Sequence, residues 1–123
     1  MNFSSFISSV SNTCPVGTVL NNPGGGTSTI KKITSNNIYY ERGNSSITVA
    51  LLDLFKAYSD YKGKQVSCSD LKKYSPSIFD SKAINPGHDC NCTFLFLVLK
   101  EIAIIQTISG AGVCGNPYYI SIP

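Results

Sequence analysis

The stretch from Asn44 to Gly63, NSSITVALLDLFKAYSDYKG, constrains the fold more than any other part of the chain. Its apolar residues recur at helical spacing and form one stripe: Ile47, Leu51, Leu54, Tyr58 and Tyr61, widened by Leu52 and Phe55. Asn44 or Ser45 offers a side-chain oxygen to cap the first turn, and Gly63 stands where a left-handed residue ends a helix. The spacing predicts a helix over residues 44–62, with the rest of the chain packed onto its apolar stripe.

Length and composition set the scale of the fold. A chain of 123 residues with 42% hydrophobic residues can bury the core of one domain. Residues 1–26 are rich in Ser, Asn and Gly and end in NNPGGG, which predicts a flexible or loosely packed N-terminal arm. The triple glycine lacks the Lys-Ser/Thr ending of a phosphate-binding loop, so we interpret it as a connector. Residues 27–123 are then expected to form a single α+β domain.

Two short β-type runs follow the arm. Thr29–Thr34 and Ile38–Glu41 flank the polar turn at residues 35–37, a pattern typical of a β-hairpin. Because neighbouring residues of a strand face opposite sides, one of Tyr39 and Tyr40 is expected in the core and the other at the surface. This hairpin leads directly into the predicted central helix.

Two further helices are predicted after the central one. Ser67 to Asp70 has the shape of a capping box, which predicts a short helix over Ser69–Tyr74, and Pro76 ends it. The run CNCTFLFLVLKEI predicts a third helix over Cys90–Ile102. The middle of this run is apolar on every side, so the helix must be enclosed; a buried strand is the alternative for the same residues.

The C-terminal tail is expected to form a closing hairpin. Ile104–Ser109 and Tyr118–Ile122 both read as strands, and residues 102–123 contain no charged side chain. Soluble proteins normally guard exposed strand edges with charges or bulges. The hairpin is therefore either covered by the rest of the domain or paired with another chain. Pairing with a second copy would most simply give a two-fold dimer through residues 104–122.

The resulting order of elements is hairpin, helix, short strand, short helix, helix and closing hairpin. Over residues 44–122 this order resembles the winged-helix group of DNA-binding domains, in which the second and third helices form a helix-turn-helix and the terminal hairpin is the wing. The resemblance lies in the order of elements and in no residue motif. It implies an α+β, winged-helix-like fold with three helices, an N-terminal hairpin and a C-terminal hairpin, and DNA as the partner. Asn91 and Thr93 would then stand near the start of the helix that reads base edges.

Basic residues suggest how such a module would hold its ligand. The net charge of +3 permits an anionic partner. The basic side chains cluster on the first hairpin and around the second helix: Lys31, Lys32, Arg42, Lys62, Lys64, Lys72 and Lys73. They form one positive face if the short helix packs beside the end of the central helix; otherwise they are solvated lysines without a partner. Our leading hypothesis is a small nucleic-acid-binding or regulatory module that contacts phosphates through this lysine-rich face.

Two other functions remain open. The second hypothesis is a protein-interaction or homodimerisation module that uses the charge-free tail and binds no nucleic acid. The third is a cysteine-dependent enzyme, in which a thiol of Cys90 or Cys92 near His88 acts as the nucleophile. Residues 88–92 also have the ligand types of a zinc site, but no second cluster supplies the remaining ligands. Buried reduced cysteines are expected there, and no metal or cofactor is assigned.

Cysteine usage and the N-terminus bear on the compartment. The chain has five cysteines, an odd number: Cys14, Cys68, Cys90, Cys92 and Cys114. The N-terminal MNFSSFISSV lacks the basic region and long apolar run of a signal peptide. No run reaches the roughly 18 apolar residues of a membrane span. We therefore expect a reduced, cytoplasmic protein with free thiols and no membrane partner.

Overall fold

The computed structural model describes residues 1–123 and shows an α+β protein with five helices and a four-stranded antiparallel sheet. In chain order the elements are α1 (Phe3–Thr13), β1 (Val19–Asn21), β2 (Thr27–Ile33), β3 (Asn37–Arg42), β4 (Ser45–Ala50), α2 (Leu51–Asp60), β5 (Gln65–Ser67), α3 (Cys68–Tyr74), α4 (Pro76–Phe79), α5 (Cys90–Glu101) and β6 (Tyr119–Ser121). No helix has the length and apolar character needed to cross a membrane.

Strands β1 to β4 follow one another across the main sheet, each antiparallel to its neighbour. The predicted hairpin is confirmed as β2 and β3, and Ile33 faces Ile38 next to the turn. The prediction for the two tyrosines is also confirmed, because Tyr40 is buried while Tyr39 remains half-buried. A register shift between Ile30 and Lys32 interrupts the pairing of β2 with β3. The sheet thus directs Tyr40 into the interior of the protein.

The helix predicted over residues 44–62 is wrong in its first third. Ser45–Ala50 is strand β4, and the helix begins only at Leu51. Ile47 and Val49 are buried on alternate positions of β4, which is the two-residue period of a strand. Branched side chains at these positions favour strand, and pairing with β3 supplies the backbone hydrogen bonds that a helix would otherwise provide.

The first 26 residues differ from the loosely packed arm that was expected. Residues 3–13 form helix α1, whose Phe6 is 0% exposed and packs against the rings of Phe55 and Tyr58 on α2. Serines separate the few apolar residues of α1, so their helical spacing did not predict a helix from the sequence. The glycine run is the turn between β1 and β2, closed by a 3.0 Å hydrogen bond from the backbone N–H of Asn22 to the carbonyl of Gly26.

Helix α5 lies at the centre of the core. The prediction of an enclosed helix is confirmed, because every residue from 91 to 99 is buried. The ring of Phe94 stacks on that of Tyr40 with centroids 3.8 Å apart, so the main sheet covers one side of the helix. Helices α3 and α4 pack on it elsewhere. The enclosure explains why the sequence of α5 is apolar all round.

The short helix after β5 is also confirmed, together with its capping box. The Ser67 hydroxyl accepts a hydrogen bond from the backbone N–H of Asp70, and the Asp70 carboxylate accepts one from the N–H of Ser67. Pro76 starts the one-turn helix α4, which places Phe79 fully in the core. The chain has five helices where three were expected, because residues 3–13 and 76–79 are helical as well.

The closing hairpin predicted for the tail is wrong. Strand β6 pairs with β5, and Ile120 faces Val66. The segment 104–109 forms no strand, because the backbone N–H groups of Ile104 and Ile105 donate to the carbonyl of Leu99 at the end of α5. Only a single bridge near residue 109 joins this segment to β6. The tail therefore closes a small sheet with a strand from the middle of the chain.

Candidate functional site

A polar cleft of about 200 Å³ opens between helices α3 and α5. Four separate segments build it: the end of β3, helix α3, the start of α5 and the loop before β6. Its lining residues are Arg42, Cys68, Lys72, Asp89, Cys90, Thr93, Gly112 and Tyr118. Polar groups that converge on one concave site from distant parts of a chain are typical of ligand-binding positions. We therefore take this cleft as the candidate site.

Arg42 is fixed at the cleft by Thr93. Its Nη1 donates a 3.1 Å hydrogen bond to the Thr93 hydroxyl, which donates in turn to the carbonyl of Cys90 at 3.3 Å. This contact joins the end of strand β3 to the first turn of α5. It uses one of the five N–H donors of the guanidinium group. Arg42 is therefore oriented at the cleft while retaining donors for a ligand.

Lys72 and Asp89 form an ion pair at the same cleft. The Lys72 Nζ lies 3.5 Å from an Asp89 carboxylate oxygen. The other Asp89 oxygen accepts a 2.9 Å hydrogen bond from the backbone N–H of Ser81. Burial alone would raise the pKa of Asp89, but the bonds from Ser81 and the charge of Lys72 lower it below its usual value. Asp89 therefore stays ionised; instead of capping α5 with its side chain, it ties the preceding loop to α3.

Two cysteines meet at the wall of the cleft in different environments. Cys68 is half-buried and lines the cleft, whereas Cys92 is 1% exposed. The Cys92 Sγ lies 3.7 Å from the carbonyl oxygen of Cys68 and 3.6 Å from that of Phe79. The Cys92 thiol therefore packs against the backbone of Cys68. Helices α3 and α5 thus bring together cysteines that are far apart in sequence.

These environments separate the acidities of the two thiols. The neighbouring Cys92 thiol lowers the pKa of Cys68, and the cations of Lys72 and Arg42 act in the same direction against burial. The neighbouring Cys68 thiol and burial both raise the pKa of Cys92. Cys68 is the thiol that more readily ionises, while the protonated Cys92 thiol donates to the carbonyls of Cys68 and Phe79. The Cys68 thiol, which lines the cleft, is therefore the candidate nucleophile of the two.

Tyr118 also lines the cleft. Its ring lies against Gly112, where an added Cβ would come within 2.3 Å of a ring carbon. The backbone carbonyl of Tyr118 accepts a 2.9 Å hydrogen bond from the N–H of Cys68. The same ring is close to Gly24 in the turn between β1 and β2. The glycines on either side of Tyr118 therefore allow its ring to reach the cleft.

The predicted binding residues are only partly brought together. Arg42, Lys72 and Thr93 meet at the cleft. Lys73, Lys62 and Lys64 are exposed and line none of the cleft, and Lys31 and Lys32 lie on a separate depression of about 240 Å³ on the main sheet. Lys31 pairs there with Glu41 at 3.6 Å. The nine predicted residues therefore do not line one common site.

Asn91 and Thr93 are both buried and hydrogen-bonded within the protein. Asn91 is 2% exposed, accepts a 2.7 Å hydrogen bond from the Tyr40 hydroxyl and donates at 2.9 Å to the carbonyl of Ile78. Thr93 is also buried and is bonded to Arg42 and Cys90. Strand β3 of the main sheet contacts this part of α5 through Tyr40 and Arg42. Both side chains connect α5 to its surroundings.

Cys68, Asp89 and Tyr118 line the cleft but were not predicted as site residues from the sequence. The local signal at Cys68 was a helix cap, and its contact with Cys92 spans 24 residues of sequence. Cys90 does line the cleft, but His88 is exposed and does not, so the expected Cys–His pair does not meet at this site.

The cleft combines two cations, one carboxylate and an ionisable thiol, a set that favours anionic ligands. No group of three or more His, Cys, Asp or Glu side chains is placed to hold a metal ion. Comparisons with protein-family models, curated proteins and solved structures found no match to the chain.

Proposed function

We propose that the protein is a small nucleic-acid-binding module that contacts phosphates, with Arg42 and Lys72 as its principal contacts. The convergence of these two cations on one cleft carries the proposal. A guanidinium group presents paired N–H donors that match two phosphate oxygens, and a lysine adds a point charge. Thr93 supports the proposal indirectly, since its hydroxyl fixes the orientation of Arg42.

Exposed lysines outside the cleft extend the phosphate-binding surface in this proposal. Lys73 is the neighbour of Lys72 on α3, and Lys62 and Lys64 lie on either side of the glycine that follows α2. None of the three forms an ion pair with a carboxylate. The net charge of +3 acts in the same direction. Lys31 and Lys32 on the main sheet would contribute only if the nucleic acid also contacts that face.

A winged-helix-like unit is the architecture we propose for this module. Helices α2, α3 and α5 follow in the expected order, and β5 between the first two pairs with β6 after the third. Because α5 is enclosed, we expect binding to depend on phosphates and to show little base preference. This differs from the reading of bases by Asn91 and Thr93 that the resemblance implied.

Titration of a labelled DNA duplex with the full chain at about 50 mM and about 200 mM salt tests the proposal. We expect the affinity to fall steeply with salt, as it does when phosphate contacts release counterions. Arg42→Gln and Lys72→Gln should each weaken binding and reduce the salt slope by about 1. Lys56→Gln on α2 removes the same charge away from the cleft and should change binding less. Absence of binding at the lower salt concentration would overturn the proposal.

A homodimer through residues 104–122 is the second candidate, and the loop before β6 favours it. Residues 110–116 are exposed and uncharged, and the Val113 side chain is 59% exposed. An exposed apolar side chain on an uncharged loop is typical of a contact surface. Sedimentation over a range of protein concentrations tests this candidate. A dimer that Val113→Lys converts to monomer supports it, and a monomer at every concentration rules it out.

A further inference from the structure

We propose that Cys68 and Cys92 form a redox pair, in which Cys68 reacts first with a peroxide and Cys92 then closes a disulfide between helices α3 and α5. This is a modification site that goes beyond nucleic-acid binding. It rests on three features of the cleft: the contact of the Cys92 thiol with the backbone of Cys68, the unequal burial of the two cysteines and the cations that line the cleft beside Cys68.

Cys68 has the environment of an attacking thiol. It lines the open cleft, so that a small oxidant reaches its sulfur from solvent. The ammonium of Lys72 and the guanidinium of Arg42 favour its ionised form, and the lowered pKa agrees with this geometry. The thiolate is the nucleophile in reactions with peroxides and disulfides. Cys90 lines the same cleft and is the matched thiol for comparison, whereas Cys14 is buried, and burial raises its pKa to about 11.

Cys92 has the environment of a resolving thiol. It is enclosed by α5 and by the carbonyls of Cys68 and Phe79, so an external oxidant does not reach it directly. Its 3.7 Å contact with the carbonyl oxygen of Cys68 places the two cysteines next to each other across α3 and α5. A disulfide between them forms when their sulfurs approach to about 2 Å. The packing of α3 on α5 holds the pair in place.

The reaction balances with hydrogen peroxide as oxidant. The Cys68 thiolate attacks one peroxide oxygen, the O–O bond breaks, and the departing hydroxide takes up the proton that Cys68 released, which gives sulfenic acid and one water. The Cys92 sulfur then attacks the sulfenic sulfur, the S–O bond breaks, and hydroxide leaves with the Cys92 proton as a second water. Two thiols are oxidised to one disulfide, and one peroxide is reduced to two waters.

Peptide mapping after limited peroxide treatment tests the proposal on the full chain. Trypsin releases Cys68 in residues 65–72 and Cys92 in residues 83–100. We expect these two peptides to be linked, and to be linked equally in Cys90→Ser, which removes the other cleft thiol. Cross-linking that disappears in Cys90→Ser, or oxidation of the exposed Cys114 before Cys68, would overturn the proposal.

Variants of Cys92 and Lys72 test the resolving role of Cys92 and the activation of Cys68 separately. Cys92→Ser should stop the reaction at a Cys68 sulfenic acid that a dimedone-type reagent captures. Lys72→Gln leaves the core untouched and should slow the loss of the Cys68 thiol severalfold, while the matched Lys73→Gln should not. Equal rates in the two lysine variants would show that the cleft cation does not activate Cys68. Because these readouts are chemical, they stand or fall independently of DNA binding.

Discussion

Tyr40 donates a 2.7 Å hydrogen bond to the side-chain oxygen of Asn91, and both residues are buried. The bond joins the middle of the main sheet to the first turn of α5 across 51 positions of sequence. Next to it, the Tyr40 ring stacks on Phe94. Burial raises the pKa of Tyr40, so its hydroxyl keeps the proton that it donates. One tyrosine thus supplies both an apolar and a polar contact between the sheet and the central helix.

Tyr40→Phe should lower the free energy of unfolding by about 1–3 kcal/mol, because it leaves the Asn91 oxygen buried without its donor. The ring and its stacking on Phe94 are kept. Urea denaturation measures the change. Tyr39→Phe is the matched control on the same strand, and we expect a change within about 0.5 kcal/mol because Tyr39 is only half-buried. Equal effects in the two variants would contradict the importance of the buried bond.

Phe6→Ala should lower the free energy of unfolding by about 3–5 kcal/mol, because it leaves a cavity among Phe55, Tyr58 and the rest of the core. Ser8→Ala on the exposed side of α1 should have little effect. Thermal and urea denaturation both report the difference. A loss below about 1 kcal/mol would mean that the first helix adds little to the core.

Gly110→Ala should destabilise the protein more than Gly115→Ala. Both glycines have positive φ, so alanine is strained by about 1 kcal/mol or more at either position. At Gly110 the new Cβ would also lie 2.1 Å from the carbonyl oxygen of Pro117, whereas at Gly115 it would meet nothing. We expect the additional loss to exceed about 1 kcal/mol, measured by urea denaturation. Equal losses would mean that the loop moves freely away from Gly110.

The Lys72–Asp89 pair should make the free energy of unfolding depend on pH in the acid range. The folded-state pKa of Asp89 is lowered, so its contribution is complete above the usual carboxyl pKa of about 3.9 and is lost as pH falls through the folded value. Both side chains are partly exposed, so the contribution should stay below about 1 kcal/mol. Asp89→Asn should flatten the acid limb of a stability–pH curve.

Lys72→Gln should remove part of the same dependence, because the bond from Ser81 to Asp89 remains. Lys73→Gln should leave the curve unchanged. An acid limb that is identical in the wild type and in Asp89→Asn would contradict this assignment.

The sequence predicted those elements whose signals are local. The turn between β2 and β3, the capping box of Ser67 and Asp70, and the enclosure of α5 all follow from residues close together in the chain. Helical spacing misled at Ile47, because residues four apart also lie on one face of a strand. Strand β4 leads directly into α2 with no loop between them. The N–H of Leu51, the first residue of the helix, still donates at 2.8 Å to the carbonyl of Asn36 beside the sheet. No change of composition marks that boundary.

The candidate site was harder to predict because its contacts are not local. Arg42 and Lys72 were selected for their charge, and the fold alone decides that they share a cleft. Cys68 appeared isolated in sequence, and its partner Cys92 lies on another helix. Tyr118 directly precedes β6, whose partner strand β5 lies in the middle of the chain. Sequence patterns predict such pairing only when the strands are neighbours in the chain.

The enclosed position of α5 also affects how the protein is made. The main sheet and helices α3 and α4, which pack against this helix, are synthesised before residues 90–101. Until then they lack the side chains that fill their common interior, and their apolar faces remain open to solvent. The core around this helix therefore forms only after residues 90–101 have been synthesised.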